Sequence, residues 1–583
     1  MRHRLWFIVS FVLIGFGIFL PQAVTKAATV TYTSCPTFAT LEADASTSGI
    51  ITFNVAGDCI IVFDYEIEID SAVTITNIGS DVIFDGFAFT YHFDIFPSGN
   101  LTLNNLNLYN GYCCEGGSIY NEGTLTVTNS LFDYNFASLY GGAIYNAGGT
   151  VFLTNTDFAD NGAGLDGGAI LNDGGNLTIV GGLFDSNITG EYGGAIAGDG
   201  AMNISGAYFE NNEASSMNGG AIYNLDGSLT VSNSTFEGNY ANSGYGGAIN
   251  QEDGTTIITG STFYDNYADD GGAVNNDYGT MTISHSSFYF NTASYGGAIY
   301  NFDGAVLNVS NSTFYGNEGY TQGGVFYNND ATATFTHVTM ANNTSPLGAT
   351  LHNYDGASTT IIASILSGGD CNLESGSIND GGNNIQFNAP GCVGTDADPL
   401  LGAFAGGVMY PALGSPAIDI YGAPCLVAND QLGTVRPNGT GCDAGATEGD
   451  GSTVVVVAPS VTGPEVIGCV FDTPNGMAIG NVPDNTYCTV LMRNGGVVNY
   501  SGAVPAELIG LGVIFAVDVY RLEGGQSIQE FPDYGQVCLR GSGRLFYMDA
   551  RNMPRYSVEM PTERVDGMTC AWIPAPGTLI LTN

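Results

Sequence analysis

A repeat of about 26 residues runs through most of the chain. A Gly-Gly pair recurs at spacings of 25 to 27 residues. The pairs begin at Gly116, Gly141, Gly167, Gly193, Gly219, Gly246, Gly271, Gly296 and Gly323. A Phe-x-x-Asn motif keeps the same period at Phe132, Phe158, Phe184, Phe209, Phe236, Phe263, Phe288 and Phe314, and Met340 takes the Phe place once more. A period of this length indicates an array of stacked supersecondary units.

The composition of one unit selects the kind of array. The unit that begins at Gly219, GGAIYNLDGSLTVSNSTFEGNYANSGY, alternates apolar and polar residues in short runs between Asn, Asp, Gly and Ser. This alternation predicts strands of three to five residues and no helices. Units stacked about 4.8 Å apart pair each backbone with the coils above and below. We therefore predict an all-β parallel solenoid of eleven or twelve coils between Ile50 and Cys371.

Two apolar columns are the predicted core. One is formed by the Phe-x-x-Asn aromatics, and the other by Ile119, Ile144, Ile170, Ile196, Ile222, Ile249, Val274, Ile299 and Phe326. The Gly-Gly pairs suit a turn with positive φ and a close approach between coils. The Asn of each Phe-x-x-Asn motif suits a left-handed turn position, and stacked Asn amides can hydrogen-bond along the axis.

The first 27 residues have the organisation of a secretory signal peptide. MRHR is followed by the apolar run LWFIVSFVLIGFGIFL and by PQAVTKA, with small residues at a cleavage site after about Ala27. An uncleaved anchor is the alternative, although a run of sixteen apolar residues is short for a membrane span. We expect a secreted or cell-surface protein with no transmembrane span after signal cleavage.

The charge distribution excludes several functions. The chain has 56 Asp and Glu against 11 Lys and Arg, and no Lys or Arg occurs from Ala28 to Val435. Nucleic acid and anionic membranes are therefore poor partners, since both require clustered cations. Arg436 is the first cation after the signal, and we expect it to pair with Asp430, Asp443 or Asp419 and organise the segment around it.

Twelve cysteines suit an oxidising compartment. Pairing of near neighbours predicts the bridges Cys35–Cys59, Cys371–Cys392, Cys425–Cys442, Cys469–Cys488 and Cys538–Cys570, which leaves Cys113 and Cys114 together.

The repeats resemble those of known surface proteins. The alternation of GGAI and FxxN is similar to the repeats of chlamydial polymorphic outer membrane proteins and, more broadly, to secreted right-handed parallel β-helix proteins of the pectate-lyase-like superfamily. The resemblance covers about residues 30–395. It implies a right-handed parallel β-helix on a bacterial surface or in secreted form.

A second resemblance concerns the region after the repeats. DPLLG from Asp398, GSPAID from Gly414, NDQLG from Asn429, Arg436-Pro and CDAGATE from Cys442 are similar to the choice-of-anchor Q domain. Leu432 stands where such proteins usually have Arg, and Thr447 where they usually have an aromatic residue. The resemblance implies that the solenoid precedes a variable attachment or sorting module.

The domain boundaries follow from these features. We assign a signal peptide to residues 1–27, an N-terminal cap to 28–60, the β-helix to 61–395 and a choice-of-anchor-Q-like C-terminal cap to 396–448. Residues 449–463 are read as a linker. Residues 464–583 lack the repeat and carry four Cys and seven Arg. They are predicted to form a small disulfide-containing β-domain for sorting or attachment.

Catalytic chemistry has few candidates. Because no Lys or Arg occurs between Ala28 and Val435, the Arg base of pectate lyases is excluded, and the Gly-His-Gly and Arg-x-Lys strings of polygalacturonase-like sites are absent. Asp265, Asp269 and Asp270 are candidates for a carboxylate-only glycosidase. The alternative is that they are solvated turn acids before Gly271.

In eight successive coils, an aspartate stands six or seven residues after the Gly-Gly pair or its equivalent. The series is Asp173, Asp199, Asp226, Asp253, Asp277, Asp303, Asp330 and Asp355. Stacking would place these carboxylates about 5 Å apart in an acidic ridge. The candidate ligands for Ca²⁺, the one cofactor that the sequence suggests, are Asp226, Asp253, Asp277, Asp303 and Asp330. The alternative is that each Asp simply makes its turn.

These features favour a non-catalytic surface or secreted protein that acts in adhesion by contacting glycans or cell-surface components. A carbohydrate-active enzyme using carboxylates only, and a structural sheath, are the alternatives. Tyr140, Tyr192, Tyr245 and Tyr295, each just before a Gly-Gly pair, can stack on sugars or pack over the turn of the next coil.

Overall fold

The computed structural model describes residues 28–47, 49–402, 404 and 406–449, together with the backbone of strands between 486 and 582. The predicted signal peptide and linker lie outside the described residues. The repeats form a right-handed parallel β-solenoid of about 12 turns with coils of about 26 residues, as predicted. Contacts divide the chain into two units, which are residues 1–282, 290–307 and 318–332, and residues 283–289, 308–317 and 333–583.

Four parallel sheets build the first unit. The first sheet contains Ala28–Tyr32, Gly49–Phe53, Ala72–Asn77, Asn100–Asn104, Thr124–Thr128, Thr150–Thr154, Asn176–Val180, Ala201–Ser205, Ser228–Ser232 and Thr255–Thr259. The second contains Cys59–Val62, Val82–Asp85, Asn107–Tyr109, Leu131–Asp133, Asp157–Ala159, Leu183–Asp185, Tyr208–Glu210, Thr235–Glu237 and Thr262–Tyr264.

The other two sheets of the first unit meet at the Gly-Gly turns. The third contains Ile67–Ile69, Phe93–Ile95, Ile119–Asn121, Ile144–Ala147, Ile170–Asp173, Ile196–Gly198, Ile222–Asn224, Ile249–Gln251, Val274–Asp277, Ile299–Phe302 and Phe326–Asn329. The fourth contains Tyr112–Glu115, Phe136–Tyr140, Gly162–Ala163, Ile188–Thr189, Glu213–Ala214, Tyr240–Tyr245, Tyr267–Asp270, Thr292–Tyr295 and Glu318–Gln322. Each coil therefore passes through the sheets in the order first, second, fourth and third.

The second unit continues the same strand types. Its strands are Ser287–Tyr289, Thr313–Tyr315, Thr339–Ala341, Leu351–Tyr354, Ser358–Ile362, Ile365–Ser367, Cys371–Leu373, Ser377–Asp380, Ile385–Phe387 and Thr395–Asp396. Strands Thr280–Ser284, Val306–Ser310 and Thr332–Thr336 have residues in both units.

The C-terminal region is antiparallel. Seven strands form one set, Thr486–Arg493, Gly496–Val497, Val513–Glu523, Gln526–Ile528, Arg544–Asp549, Val558–Glu559 and Gly577–Thr582. Three form another, Gly535–Arg540, Glu563–Val565 and Met568–Ile573. Their backbone register places Cys538 opposite Cys570. The predicted bridges Cys469–Cys488 and Cys538–Cys570 involve side chains outside the described part and stay predictions.

Both predicted core columns are confirmed. Every side chain of the Ile119–Phe326 column and of the Phe-x-x-Asn column is buried, with a relative exposure of 0%. From Phe132 to Phe263 the rings stack with centroids 4.7–4.8 Å apart and planes within 15° of parallel. Each buried aromatic side chain contributes about 1.5–3 kcal/mol, so these columns are a major source of stability.

The Asn residues of the Phe-x-x-Asn motifs form a buried ladder. In the first unit it contains Asn135, Asn161, Asn187, Asn212, Asn239, Asn266 and Asn291. Each amide Nδ2 donates to the Oδ1 of the next Asn at 2.9–3.0 Å. The predicted hydrogen bonding along the axis is confirmed. The prediction that these Asn residues adopt the left-handed conformation is wrong. The residue before each Asn adopts it instead, for example Tyr134 and Asp265.

The Gly-Gly turns have both predicted features. The first glycine of each pair has positive φ, as in Gly141 at 63°. A Cβ on the second glycine would collide with the backbone of the next coil. On Gly142, for example, it would lie 1.9 Å from the carbonyl oxygen of Gly168. The turn therefore requires glycine for its backbone angle at one position and for space at the other.

A helix and a disulfide shape the N-terminal segment. The helix Phe38–Ala45 begins after Thr37, whose side chain accepts a hydrogen bond from the Thr40 amide, and it buries Phe38, Leu41 and Ala45. The predicted Cys35–Cys59 bridge is confirmed. This is the only helix in the described part of the chain.

Two further predicted bridges, Cys371–Cys392 and Cys425–Cys442, are also confirmed. The predicted pairing of Cys113 with Cys114 is wrong, because both are free thiols with sulfur atoms 3.7 Å apart. The strand bulges between Cys113 and Glu115, which brings neighbouring side chains close together without bonding them.

The segment from 398 to 449 lies along the coils of the second unit. Gln431 donates to the Ser286 carbonyl and accepts from Thr313, and the Ala446 amide donates to Thr339. Ala417 and Ala444 share an apolar cluster with Ile365 and Ile385. Leu432 is 54% exposed, whereas Thr447 is buried and donates to the Met409 carbonyl. A role as cap or anchor stays a prediction.

Arg436 has a different partner from those predicted. Its Nη1 lies 2.5 Å from Glu448 Oε2, and both side chains are fully buried. The pairing with Asp430, Asp443 or Asp419 is wrong because these short carboxylates accept backbone amides instead, from Thr434, Gly449 and Gly441. Asp443 contributes only its backbone carbonyl to Arg436.

Candidate functional site: a tyrosine–carboxylate face

Two side-chain columns lie beside each other where the third and fourth sheets meet. The pre-glycine column consists of the residue before each Gly-Gly pair, namely Glu115, Tyr140, Asp166, Tyr192, Asn218, Tyr245, Asp270, Tyr295 and Gln322. The strand register aligns its members other than Asn218 in successive coils, and the Asn218 carbonyl accepts a hydrogen bond from the Gly193 amide of the coil before it. The column therefore carries a tyrosine in every second coil and an acid or amide in the coils between.

The second, post-isoleucine column follows the buried isoleucines of the third sheet. Its members are Tyr120, Tyr145, Leu171, Ala197, Tyr223, Asn250, Asn275, Tyr300 and Tyr327. Rings of the two columns touch, with centroids 4.5 Å apart for Tyr192 and Tyr223 and 6.2 Å apart for Tyr140 and Tyr145. We call the two columns together the tyrosine–carboxylate face. Tyr192 and Tyr295 contact Tyr223 and Tyr327 of the next coil, as predicted, whereas Tyr140 contacts Tyr145 of its own coil.

A cleft opens where the post-isoleucine column has no tyrosine. Leu171 and Ala197 are smaller than the tyrosines on either side, and they leave a cleft of about 270 Å³. Its lining consists of Tyr140, Tyr145, Asp166, Leu171, Asp173, Ala197, Gly198, Asp199, Tyr223 and Leu225. A volume near the lower end of the usual range for ligand sites suits one ring of a longer ligand.

Hydrogen bonds hold the walls of the cleft. The Tyr145 hydroxyl donates to Asp173 Oδ2 at 2.5 Å, and the Tyr223 hydroxyl donates to the Glu252 carboxylate. Asp199 Oδ1 accepts the Gly174 amide at 2.6 Å. These bonds fix both tyrosine rings and two of the carboxylates before any ligand arrives, which lowers the entropic cost of binding.

Asp166 is the carboxylate with unused hydrogen-bonding capacity. Its Oδ1 is buried and has no hydrogen-bond partner within the protein. Burial, followed by the charge of Glu191, raises the pKa of Asp166 to about 6. The side chain is therefore ionised at neutral pH in a setting that stabilises the charge poorly.

The catalytic candidates are divided between sheets. Asp265 follows strand Thr262–Tyr264 of the second sheet in a left-handed turn, while Asp269 and Asp270 end strand Tyr267–Asp270 of the fourth. Asp270 belongs to the pre-glycine column between Tyr245 and Tyr295. Burial, followed by the charge of Asp269, raises the pKa of Asp270 to about 7. Catalysis by these three residues stays a prediction.

The predicted acidic ridge is not one continuous row. Between two of the coils, Asn224 pairs with Gln251, and this register aligns Asp226 with Asp253. In the next coil, Gln251 pairs with Asn276, and this register aligns Asp277 with Glu252 instead of Asp253. Asp277 then pairs with Phe302, while Asp303 aligns with Asp330. Asp303, Asp330 and Asp355 have positive φ, which fits their role as turn residues. Asp173 and Asp199 line the cleft.

The ridge is broken because coil lengths vary between 25 and 27 residues, so a constant offset in sequence does not keep a constant register. In the described residues no three His, Cys, Asp or Glu side chains lie close enough together to hold a metal ion. Calcium binding by Asp226, Asp253, Asp277, Asp303 and Asp330 stays a prediction.

Asp277 offers a test of the electrostatics of the aspartate series. Burial, followed by the charges of Glu252, Asp303 and Asp253, raises the pKa of Asp277 from 3.8 to about 7. A carboxyl with a raised folded-state pKa costs stability progressively as pH rises from about 4 to about 7, and the full cost applies above that range. Asp277→Asn should therefore raise the thermal unfolding midpoint most above pH 7, with the gain vanishing toward pH 4.

The matched control is Asp226→Asn, which removes the same charge from an exposed side chain. It should move the midpoint little at any pH. Melting curves of both variants between pH 4 and pH 8 make the comparison. An equal gain from the two substitutions would show that net charge, and not the burial of Asp277, is the cause.

Sequence reasoning missed Asp166, Leu171 and Ala197. The signal was present in the residue before each Gly-Gly pair, where tyrosine alternates with acids and amides, and in the absence of tyrosine after Ile170 and Ile196. Neither pattern shows that the two columns touch. That contact depends on the angle between two sheets at the Gly-Gly turn.

Comparisons with known proteins agree with this architecture. Residues 167–345 match the family model described as right handed beta helix region, and residues 129–147 match the Chlamydia polymorphic membrane protein repeat. No curated protein and no solved structure gave a match. The chain is a right-handed parallel β-helix protein. Its repeats are similar to those of Chlamydia polymorphic membrane proteins, and both matches fit a surface-exposed β-helix protein.

Neither matched range extends beyond residue 345. The choice-of-anchor Q assignment of residues 396–448 therefore stays a prediction. Within the described residues, no helix has both the length and the hydropathy that a membrane span requires.

Proposed function

We propose that this protein is a non-catalytic, secreted or cell-surface β-helix that adheres to glycans through the tyrosine–carboxylate face. The observation that carries the proposal is the cleft between Tyr145 and Tyr223, where aromatic rings flank a small apolar floor and carboxylates accept hydrogen bonds. Aromatic faces stack on the C–H faces of sugar rings, while carboxylates bind sugar hydroxyls. Beyond the cleft, the pre-glycine tyrosines continue along the solenoid axis in every second coil.

The repeat itself supplies a variant that closes the cleft. Ala197 lies in register between Leu171 and Tyr223, in a column where other coils carry tyrosine. Ala197→Tyr therefore places a side chain that this column accommodates elsewhere, and it fills the cleft. We expect this variant to lose at least about tenfold in glycan affinity, equivalent to about 1.4 kcal/mol, while it keeps the circular dichroism spectrum of the parent protein.

The matched control is Asn203→Tyr, which adds the same side chain to the outward side of the first sheet. A glycan array identifies the ligand, and titration calorimetry then compares the parent protein with the two variants. Failure to bind any glycan would contradict the proposal, and binding that survives Ala197→Tyr would place the site elsewhere.

A carbohydrate-active enzyme is the second candidate, and the raised pKa of Asp270 favours it, because a carboxyl with a pKa of about 7 can act as a general acid at neutral pH. Incubation with neutral and acidic polysaccharides separates the two functions. Soluble products that disappear in Asp270→Asn would establish the enzyme and overturn the non-catalytic proposal.

A further inference from the structure

The charge of the cleft restricts the glycans that it can bind. Asp166, Asp173 and Asp199 line it, and no Lys or Arg occurs between Ala28 and Val435 to compensate them. A uronate, sulfate or sialate entering this field is repelled. The remaining ligands are neutral sugars and sugars that carry a positive charge.

Two features favour the positively charged class. Asp166 lines the cleft as a half-buried side chain, and an ammonium group beside this carboxylate offsets the cost of its ionisation. Tyr140, Tyr145 and Tyr223 also line the cleft, and the faces of tyrosine rings attract cations. A neutral hydroxyl gains less from either feature.

The period of the pre-glycine column indicates the form of the ligand. Tyr140, Tyr192, Tyr245 and Tyr295 recur every second coil, with an acid or an amide aligned between them. Two coils span about 9.6 Å, a length close to the repeat of a β-1,4-linked disaccharide. Alternate side chains of an extended peptide repeat at about 6.7 Å. The side chains of a basic peptide strand therefore do not match the spacing of successive tyrosines in the column.

We propose that the tyrosine–carboxylate face binds an extended, β-linked amino-sugar polymer with free ammonium groups, laid along the solenoid axis, with Asp166 as the principal ammonium partner. This inference rests on the proposed glycan-binding function and narrows it to one class of sugar. Asp173 and Asp199 flank the ammonium site, while the tyrosines contact the sugar rings.

The experiment compares three hexamers of the same linkage at pH 7 and low salt, the β-1,4-linked oligomers of glucosamine, N-acetylglucosamine and glucose. Titration calorimetry should show the glucosamine oligomer binding at least about tenfold more tightly than the other two, as expected for one charge-assisted hydrogen bond. Its affinity should fall with added salt and, once the glucosamine amines are protonated, fall again as pH drops below 6, where Asp166 becomes protonated.

Asp166→Asn keeps the shape of the side chain and removes its charge. It should lower the affinity for the glucosamine oligomer about tenfold and lower the affinities for the other two oligomers by a clearly smaller factor. Asp226→Asn, exposed and outside the cleft, is the matched control for the loss of one negative charge and should change the affinity little.

The outcomes separate this inference from the proposed function. Equal or tighter binding of the acetylated or neutral oligomer would overturn the amino-sugar assignment and leave glycan binding in place. Tighter binding of hexalysine than of any sugar would identify a peptide ligand and would also overturn the amino-sugar assignment. Absence of binding by every oligomer on the array and in solution would overturn the proposed function itself.

Discussion

Replacing Asn239 by alanine should lower the free energy of unfolding by about 4 kcal/mol, because one side chain in the buried ladder serves several hydrogen bonds. Asn239 Nδ2 donates to the Phe209 carbonyl and to Asn266 Oδ1, and its own Oδ1 accepts from the amide and side chain of Asn212. Alanine leaves the Asn212 amide and the Phe209 carbonyl without these partners in the interior. Each buried polar group left unpaired costs about 1–3 kcal/mol.

The matched control is Asn203→Ala, which removes the same amide from an exposed position on the first sheet. Its effect should stay within about 0.5 kcal/mol. Guanidinium titrations followed by circular dichroism compare the two variants. A loss of less than about 1 kcal/mol for Asn239→Ala would show that the ladder accompanies the fold without stabilising it.

Replacing Arg436 by methionine should destabilise residues 396–448 by about 3–5 kcal/mol, because it leaves a carboxylate buried without its cation. Arg436 Nη1 contacts Glu448, and Nη2 donates to the Gly445 carbonyl at 2.8 Å. Burial raises the pKa of Glu448 even with the arginine present. Without Arg436 that pKa rises further, so the variant should lose more stability at pH 8 than at pH 5.

Amide hydrogen exchange measures the effect where it occurs, since a local opening of this segment can escape a global unfolding curve. The double variant Arg436→Met, Glu448→Met removes both charges and should recover most of the loss, because an apolar pair can replace a buried ion pair at little cost. Equal exchange rates in the parent protein and Arg436→Met would contradict the role assigned to this pair.

The period of the repeat was sufficient to predict the solenoid and its core. The Ile and Phe columns were read from spacing alone, and both are fully buried. The stacked Asn amides were likewise expected and are observed. The position of the left-handed residue was misassigned by one place, because Asn tolerates that conformation but here the ladder holds it inside and the preceding residue makes the turn.

The candidate site was predicted only in part. Tyr140, Tyr192, Tyr245 and Tyr295 were recognised as a possible sugar-stacking set, but the cleft depends on Leu171 and Ala197 in another sheet. The acids were expected in one row, yet changes in coil length divide them into different registers. Asp166 was not singled out because it stands outside that row.

What the sequence by itself determined is the unit that repeats: strand length, the residues that face inward, the glycine turns and three disulfides between near neighbours. These features are local, and each coil encodes them again. Only the tertiary structure decided which side chains meet across coils and sheets. The contact of Tyr192 with Tyr223, the choice of Glu448 over three aspartates by Arg436, and the cleft at Ala197 all depend on register and on the reach of particular side chains. A period of 26 residues that varies by one in either direction does not specify them.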